Sequence, residues 1–452
     1  MCGIVGASAK REVSEILVEG LRRLEYRGYD SAGLAIIQTG ALATAKEQGK
    51  VEILANALVK EPIKGSCGIA HTRWATHGKP SKENAHPHCS SDRIALVHNG
   101  IIENHDELRN QLSKQGYKFL SQTDTEVVVH LLDSIISQGN DLLSAVKIAV
   151  AQLDGAYGLA AISIDQPDTI ICARSGSPLV IGVGIGENFI ASDQLALRQV
   201  TDRFVYLEEG DIAVITPQRY DIIDSHHNAV SRDTVVMTGS ADSASKGKYR
   251  HYMQKEIFEQ PIVIANALRG RISRNRVLEE ILGTEAKAVL DKTKAVQIVA
   301  CGTSYHSAMV AKYWIEGVAG VACRVEVASE FRYRKFVVTD NTLLVTISQS
   351  GETADTLAAL RLAKTLGYTS TLAICNVAQS SLVRESDLCL MTEAGPEVGV
   401  ASTKAFTTQL VALLILTVIL GRRNGLSADD EKDIVDALHQ LPDLVSEALK
   451  VD

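Results

Sequence analysis

The sequence predicts a multi-domain α/β protein, in which stacked β-sheets with outer helices are followed by a parallel sheet with crossover helices. Three observations predict this class. Short β-like runs with few helical segments between them fill the first 240 residues. A polar stretch at 238–248 then interrupts the pattern and is typical of a linker. From residue 295, four apolar runs alternate with helix-length segments, which is typical of a parallel sheet.

In the first half, strands are predicted where apolar runs are bounded by turn residues, and helices where apolar residues recur every three or four positions. The predicted strands are 33–38, 67–72, 93–100, 158–164, 178–184 and 211–216. The predicted helices are 11–25, 104–115 and 124–137. Many strands with few helices favour two sheets stacked on each other with helices outside.

In the second half, helical segments are expected at 250–292, and strands at 295–300, 342–348, 370–376 and 387–392. A long helix at about 403–420 and an amphipathic helix at 427–450 follow. We therefore expect a first domain at 1–240, a linker and helical connection at 241–285, and a second domain at 286–430. Residues 431–452 are expected to begin a connection to a further domain.

Composition places the chain among ordinary soluble proteins. Of 452 residues, 46% are apolar and 22% charged, and the net charge of −8 argues against a general nucleic-acid surface. The longest apolar run, 410–420, is too short to span a bilayer. None of the eight cysteines forms a CxxC pair, so no zinc knuckle or thioredoxin motif is indicated. We expect a cytoplasmic protein.

Cys2 is the first candidate for chemistry. A small residue at position two favours removal of Met1, which would put the thiol and a free α-amine on one residue. An α-amine has a pKa of about 7.7–8.0, so it can accept the thiol proton directly or through a water. The sequence therefore predicts a nucleophile that carries its own base. The alternative is that Cys2 is a small buried residue.

Three further motifs accompany this thiol. Arg73 offers a planar fork for a carboxylate, although a lone arginine is usually a surface residue. Asn99-Gly100 follows a predicted strand and can form an oxyanion hole, although Asn-Gly is also a common hairpin turn. The third motif, 123–126, contains Asp124 and also fits a helix N-cap.

Together these segments resemble the class II glutamine amidotransferases, whose glutaminase domain has the N-terminal-nucleophile fold, an αββα sandwich. The matching segments are CGIVG, 22–33, HTRWATHG, 84–88, 98–105 and 121–126. The resemblance implies that Cys2 forms a γ-glutamyl thioester and that Asn99 and Gly100 stabilise the oxyanion. It also implies a set of residues around the bound glutamine: Arg73 at its α-carboxylate, Thr76 and His77 nearby, Asp124 at its α-ammonium, His86 at the site wall, and Trp74 as a gate for ammonia.

A second site is indicated where two strands of the parallel sheet end. Cys301 to Ser304 follow the strand at 295–300, and hydroxyl residues crowd 348–356 after the strand at 342–348. A helix that begins at such a turn offers free N–H groups and a dipole to a phosphate. Neither a Walker loop nor a GxGxxG dinucleotide motif is present. The alternative for 301–304 is a strand-to-helix turn with a hydroxyl cap.

The Ser-x-Ser-Gly-x-Thr motif at 348–353 resembles the sugar isomerase (SIS) domain family, which has a flavodoxin-like parallel α/β fold. Lys404, at a predicted helix start, is expected to be a solvated charge instead of a ligand. The resemblance implies a set of sugar-phosphate-binding residues: Thr303, Ser304, Ser348, Gln349, Ser350, Thr353, Val400 and Ser402.

The two halves together resemble the family of glutamine–fructose-6-phosphate aminotransferases, which catalyse the first step of hexosamine synthesis. The implied substrates are L-glutamine and D-fructose 6-phosphate, with no metal or redox cofactor, no nucleic-acid or membrane partner, and a homodimer formed through the SIS domains. Family members carry two SIS domains in tandem, and one is identified between residues 286 and 430. We therefore expect an incomplete isomerase site in this chain.

Two alternatives stay open at this point. One is another class II amidotransferase, which would carry a phosphoribosyl loop or an SGGxDS-type pyrophosphate loop; neither is found. The other is a sugar-phosphate-binding regulator, for which a set of Cys2, Asn99 and Asp124 would have no purpose. A glutaminase assay with and without fructose 6-phosphate separates them, because sugar stimulation favours the aminotransferase.

The sequence predicts that the purified 452-residue polypeptide hydrolyses glutamine but makes little or no glucosamine 6-phosphate, since the isomerase site is expected to be incomplete. Glutamate release and hexosamine phosphate formation are measured in parallel on the same sample. Amination of the sugar phosphate by this polypeptide would refute the expectation.

Overall fold

A computed structural model describes residues 2–25, 28–75, 78–237, 246–335 and 337–451. The chain divides into two compact units, residues 1–241 and 242–452. The domain limits expected from the sequence stay predictions. Each unit has its own apolar core.

The first unit contains two antiparallel sheets. The eight-stranded sheet has the order β15-β11-β9-β10-β1-β4-β2-β3 and the seven-stranded sheet the order β14-β13-β12-β8-β7-β6-β5. The strands are β1 (Gly3–Ser8), β2 (Ser31–Gln38), β3 (Ala41–Gln48), β4 (Cys67–Arg73), β5 (His88–Ser90), β6 (Ile94–Ile102), β7 (Gly155–Ser163), β8 (Ile170–Ser175), β9 (Val180–Val183), β10 (Asn188–Ala191), β11 (Arg203–Tyr206), β12 (Ile212–Ile215), β13 (Tyr220–Ile223), β14 (Ala229–Val230) and β15 (Thr234–Val236).

Among the described residues, five α-helices cover the outer faces of these sheets: α1 (Ser14–Leu24), α2 (Val51–Lys60), α3 (His105–Lys114), α4 (Thr125–Ile136) and α5 (Leu142–Val150). Side chains alternate across each strand. Ile4 therefore packs between the two sheets with Val97 and Ile162, whereas Val5 packs with Leu17 of α1 on the outside. The layers are helix, sheet, sheet and helix, which confirms the predicted αββα sandwich.

The predicted strands and helices of this unit are present, with ends shifted by at most three residues. Several strands of this unit are not predicted by the sequence pattern. For example, β3 at the sheet edge is partly exposed along its length and carries few large apolar residues. The strands β13, β14 and β15 have only two to four residues each. Their pairing comes from neighbouring strands and not from their own periodicity.

The second unit is built on a five-stranded parallel sheet of order β17-β16-β18-β19-β20. Its strands are β16 (Ala295–Ala300), β17 (Ala322–Val327), β18 (Thr342–Ser348), β19 (Ser370–Cys375) and β20 (Leu388–Met391). This is the 2-1-3-4-5 order of flavodoxin-like folds, in which ligands bind where the order reverses. The reversal lies between β16 and β18, and the predicted flavodoxin-like sheet is confirmed.

The α-helices of the second unit are α6 (Tyr252–Leu268), α7 (Ala286–Leu290), α8 (Gly302–Gly317), α9 (Ala328–Phe331), α10 (Ala354–Ala363), α11 (Ser381–Glu385), α12 (Lys404–Gly421) and α13 (Ala428–Ala448). The expected helical stretch at 250–292 is thus interrupted, with α6 and α7 separated by a short 3₁₀ helix at Glu279–Leu282.

Within the described residues, α12 is the one helix whose length and composition would allow it to cross a membrane. Most of its residues are buried inside the second unit, where it packs with α6, α8 and the sheet. Apolar residues all round a helix are typical of a core helix. Burial within its own unit therefore accounts for the apolar character of α12.

Candidate active sites

Cys2 lies at the start of β1, a central strand of the eight-stranded sheet. Gly3 pairs with Thr72 on β4, so the thiol reaches the residue that follows β4. There the backbone N–H of Trp74 donates to the Cys2 Sγ at 3.2 Å, and the carbonyl oxygen of Trp74 lies 3.4 Å from it. Backbone pairing therefore holds the predicted nucleophile in place.

The protonation of this thiol follows from its surroundings. Burial raises the pKa of Cys2, while the Trp74 N–H and the positive charge of Arg73 act to lower it, without cancelling the rise. The thiol is therefore largely protonated at neutral pH. Because the thiolate is the attacking form, a base must take the proton during attack.

Asn99 comes from β6 in the other sheet. Its side-chain Nδ2 donates to the backbone carbonyl of Cys2 at 3.1 Å, and its Oδ1 lies 3.0 Å from Nε2 of His71. The next residue, Gly100, has φ +132°, and a Cβ there would come within 1.9 Å of the Ala156 carbonyl oxygen. Asn99-Gly100 is therefore inside a nine-residue strand and is not a hairpin turn.

The charged residues predicted around a glutamine lie close to the thiol. Arg73 is buried at the end of β4, and burial lowers its pKa although Cys2, Asp30 and Asp124 act in the opposite direction. The Asp124 carboxylate accepts the backbone N–H of Ile102 at 2.9 Å and makes no cap bond to its own helix. The helix-cap alternative holds in part, because Asp124 occupies the N-cap position of α4 while the hydroxyl of Thr123 accepts the backbone N–H of Glu126 at 3.4 Å.

The other predicted residues of this site are placed differently. Trp74 is 38% exposed, and its ring meets Tyr29 edge-on at 5.4 Å between centroids. His86 is fully enclosed, with Nε2 2.7 Å from the hydroxyl of Thr125. Thr76 and His77 lie outside the described residues.

Behind Asn99 lies a histidine cluster, defined here as His71, His86, His88 and His98, all buried. The rings of His71 and His86 are 4.2 Å apart between centroids, and those of His86 and His88 are 4.8 Å apart. Of these four histidines, only His86 was predicted as a site residue. The other three lie on strands (His71 on β4, His88 on β5 and His98 on β6), and this position between the two sheets could have indicated that they are buried.

Burial determines the charge of this cluster. It lowers the pKa of His71 to about 3, and it lowers the pKa of His86 and of His88 well below the ordinary value. The neighbouring Glu126 is also buried, which acts to raise its pKa, yet hydrogen bonds from His130, Leu120 and Ser121 lower it to about 2. His71, His86 and His88 are therefore neutral at pH 7.

The second candidate site lies at the carboxyl ends of β16 and β18. The hydroxyl of Ser348 accepts the N–H of Gly351 at 3.0 Å and lies 3.0 Å from the Thr353 hydroxyl. Ser350 accepts the N–H of Glu352 at 3.2 Å. These bonds fold 348–353 into a compact turn directly before α10, whose first N–H groups lie at this edge of the sheet.

The remaining predicted sugar-phosphate residues differ in exposure. Thr303 is exposed at the first turn of α8, whereas Ser304 is buried and accepts a hydrogen bond from Nε2 of Gln409 at 3.0 Å. Val400 is 71% exposed, and the Ser402 hydroxyl donates to Glu397 at 3.1 Å. The structure thus brings the 348–353 residues together, while Ser304 is engaged with α12.

Helix α6 holds the segment that carries Val400 and Ser402. Oε1 of the buried Glu256 accepts the N–H groups of Val398 at 2.6 Å and of Gly399 at 2.9 Å. Lys404 pairs with Glu259 of the same helix at 2.7 Å. The expectation that Lys404 is a solvated charge is wrong, because its side chain is buried against α6. Sequence spacing did not reveal a partner 145 residues away.

Comparison with known proteins identifies both halves. Residues 71–199 match the model of a glutamine amidotransferase domain, and residues 289–419 match the SIS domain model. The chain is 60% identical over 454 aligned residues to the glutamine–fructose-6-phosphate aminotransferase [isomerizing] of Pseudomonas putida, and 61% identical to that of Pseudomonas aeruginosa. Each alignment covers all of this chain and 74% of the relative.

Among solved structures, the C-terminal domain of glucosamine-fructose-6-phosphate aminotransferase from Francisella tularensis is 51% identical. It covers 46% of this chain and 58% of its own, with a TM-score of 0.45.

The histidine cluster predicts acid sensitivity of the first unit. Its members His71, His86 and His88 bind protons in the unfolded chain below about pH 6.5 but stay neutral in the fold, so stability falls as pH drops from 6.5 towards the folded pKa. Each such histidine contributes a slope of up to about 1.4 kcal/mol per pH unit. Urea unfolding at pH 7.5, 6.5 and 5.5 measures this loss of stability. These pH values lie above the range in which carboxylates titrate. A pH-independent midpoint would contradict the prediction, and His71→Gln should reduce the slope.

Gly351 in the 348–353 turn has φ +66°, and a Cβ there would meet the Ser380 hydroxyl at 2.0 Å and the Cys375 sulfur at 2.8 Å. Gly351→Ala should therefore destabilise the second unit by about 2–4 kcal/mol, from backbone strain plus overpacking. Gly302→Ala is the matched control, because Gly302 has φ +56° but nothing within 4 Å of its Cβ position. Thermal unfolding compares the two, and equal losses would show that crowding at Gly351 has no effect.

Proposed function

This chain belongs to the family of glutamine–fructose-6-phosphate aminotransferases [isomerizing], and we propose that it contributes to the reaction of that family by hydrolysing glutamine and binding the sugar phosphate. In that reaction, EC 2.6.1.16, L-glutamine donates its amide nitrogen to D-fructose 6-phosphate, which yields L-glutamate and D-glucosamine 6-phosphate. The first unit hydrolyses glutamine and the second binds the sugar phosphate. The observation that carries this proposal is the meeting of Cys2 and Asn99 from two different sheets.

In the proposed glutaminase step, Met1 has been removed and the Cys2 α-amine takes the thiol proton. The Cys2 sulfur then forms a bond to the carboxamide carbon of glutamine, and the carbonyl oxygen becomes an oxyanion. When the tetrahedral intermediate breaks down, the C–N bond cleaves and the proton leaves with ammonia. Water next cleaves the γ-glutamyl thioester, which releases glutamate and restores the thiol. The raised thiol pKa explains why an adjacent base is needed.

The oxyanion is stabilised by Asn99 Nδ2 and the backbone N–H of Gly100. Nδ2 carries two hydrogens, and the bond to the Cys2 carbonyl uses one of them. The second is available to the developing charge. One such donor is typically worth about 3–4 kcal/mol of transition-state stabilisation.

Substrate orientation is assigned to the charged residues near the thiol. Arg73 forms the bidentate contact to the α-carboxylate of glutamine, and Asp124 binds its α-ammonium. Both lie close enough to Cys2 to affect its pKa, which supports a small substrate spanning all three. Thr76, His77, His86 and Trp74 complete the proposed pocket.

The phosphate of the sugar is assigned to the hydroxyl turn at 348–353 and the start of α10. A dianion there meets uncompensated N–H groups and the positive end of a helix dipole without any lysine. The position at the reversal point of a 2-1-3-4-5 sheet supports this assignment. Thr303, Ser304, Val400 and Ser402 are proposed to surround the rest of the sugar.

Cys2→Ala is expected to abolish glutamine hydrolysis, since the other described cysteines lack the α-amine. It should leave fructose 6-phosphate binding unchanged, because that site lies in the second unit. Glutamate release and calorimetric titration with the sugar phosphate measure the two effects, with Cys89→Ala as the control thiol. Mass spectrometry of the mature chain should show that Met1 is absent. Retained methionine, or hydrolysis by Cys2→Ala, would contradict the proposal.

We also propose a cytoplasmic homodimer that associates through the second unit. The apolar sequence of α12 does not support this, because that helix is buried in its own unit. Support comes from α8, where Val310 and Tyr313 lie one turn apart and Tyr313 is 73% exposed.

A homodimer should sediment at about twice the 48.7 kDa of one chain. Tyr313→Lys is expected to shift the equilibrium towards monomer, because it places a charge in an apolar contact. Analytical ultracentrifugation over a concentration series measures this, with Tyr333→Lys as a control at another exposed tyrosine. A wild-type chain that stays monomeric would refute the dimer.

A further inference from the structure

His71 lies on β4, directly behind the residue assigned to the oxyanion. It is fully buried between the sheets. Its ring atom Nε2 is 3.0 Å from the backbone carbonyl oxygen of His98 and 3.0 Å from Oδ1 of Asn99. None of the roles proposed above uses this histidine.

The two partners of Nε2 determine where the ring carries its hydrogen. A backbone carbonyl oxygen and an amide oxygen are both acceptors only, so Nε2 must be the donor to both. Nδ1 has no hydrogen-bond partner among the described residues, as expected for a nitrogen without a hydrogen. The neutral Nε2–H tautomer is therefore the one that satisfies the site.

The same bond determines the orientation of the Asn99 amide. Oδ1 accepts from His71, so the NH₂ group faces the opposite way and donates to the Cys2 carbonyl. If the amide were reversed, its oxygen would face the Cys2 carbonyl oxygen, and a buried pair of acceptors would be left unsatisfied. The orientation is thus held from both ends.

We propose that His71 is a positioning residue, which fixes the Asn99 side-chain amide so that an N–H is directed at the glutamine oxyanion. This inference rests on the proposed function, in which Asn99 supplies that donor. His71 acts through Asn99 and not as a base, because the described contacts of the Cys2 sulfur are with Trp74. Outer partners of this kind typically contribute about 10- to 100-fold to the group that they orient.

The rest of the histidine cluster holds the ring of His71 in place. The His86 ring lies 4.2 Å away and is tilted by 31°. His86 is in turn held by the hydroxyl of Thr125 at 2.7 Å, and the same hydroxyl is 2.9 Å from Nδ1 of His98. The geometry is therefore fixed by buried neighbours on both sheets and on α4.

The first experiment compares glutamine hydrolysis by three variants with the wild type. His71→Leu removes the donor and should lower kcat by about 10- to 100-fold, while KM changes less than about twofold because Arg73 and Asp124 still hold the substrate. His71→Gln places an amide donor near Nε2 and should restore most of kcat. His130→Gln is the control, since His130 is a buried histidine whose ring nitrogens lie near Ser90 and Glu126 and not near Asn99.

A double-mutant cycle with Asn99→Ala provides the decisive comparison. If His71 acts through Asn99, His71→Leu should have no further effect on kcat when Asn99 is already alanine. Additive losses would overturn the positioning role and leave the proposed glutaminase intact. An Asn99→Ala variant with unchanged kcat would instead refute the oxyanion assignment on which the inference rests.

A spectroscopic test reads the tautomer directly in the wild-type protein. In protein labelled with ¹⁵N-histidine, the His71 ring should show a protonated Nε2 and an unprotonated Nδ1 at pH 7, and His71→Gln identifies its resonances by their loss. The Nδ1–H tautomer would overturn the proposal.

Discussion

The pairing of β1 with β4, and the packing of their sheet on a second one, determine the arrangement of the glutaminase site. Gly3 lies opposite Thr72, so the thiol of Cys2 is placed against the backbone of Trp74. The second sheet brings Asn99 to the carbonyl of the same cysteine. A shift of one residue in either strand would turn each side chain to the opposite face. The positions of the proposed nucleophile and of the proposed oxyanion donor therefore depend on strand register more than on loop conformation.

Burying polar groups so close to the core has a cost, which this fold offsets by pairing them. Each buried histidine of the cluster has at least one bond to a hydroxyl or a backbone oxygen. The low dielectric that keeps these rings neutral also strengthens the bonds among them. A neutral, hydrogen-bonded layer behind the site provides rigid donors without adding charge beside the thiol.

In the second unit, the order of the strands determines where the proposed sugar-phosphate site lies. In a parallel sheet of order 2-1-3-4-5, the loops after the first and third strands diverge and leave a crevice at their carboxyl ends. The 348–353 turn lies at this edge, and its hydroxyls are fixed by bonds within the turn. The segment around Val400 is held separately, by carboxylates of α6. The two segments proposed to bind the sugar phosphate are therefore held in place by independent sets of contacts.

The sequence by itself determined the two fold classes, many of the strands and helices, and the positions of Cys2, Asn99 and the hydroxyl turn. These follow from local signals, namely apolar periodicity, strand ends and short motifs, all of which are readable within ten or so residues. The sequence did not predict the central strands β1 and β8 or the edge strands β3 and β17, because pairing with neighbouring strands, and not their own composition, makes them strands.

Only the tertiary structure decided how distant residues act on one another. It buried Lys404 against Glu259 and joined His71 to Asn99. It also engaged Ser304 with Gln409 and made the apolar α12 a core helix. In each case the partner lies far along the chain or on another element. A side chain's charge, exposure and hydrogen-bond direction are set by what packs against it, and no local pattern encodes that.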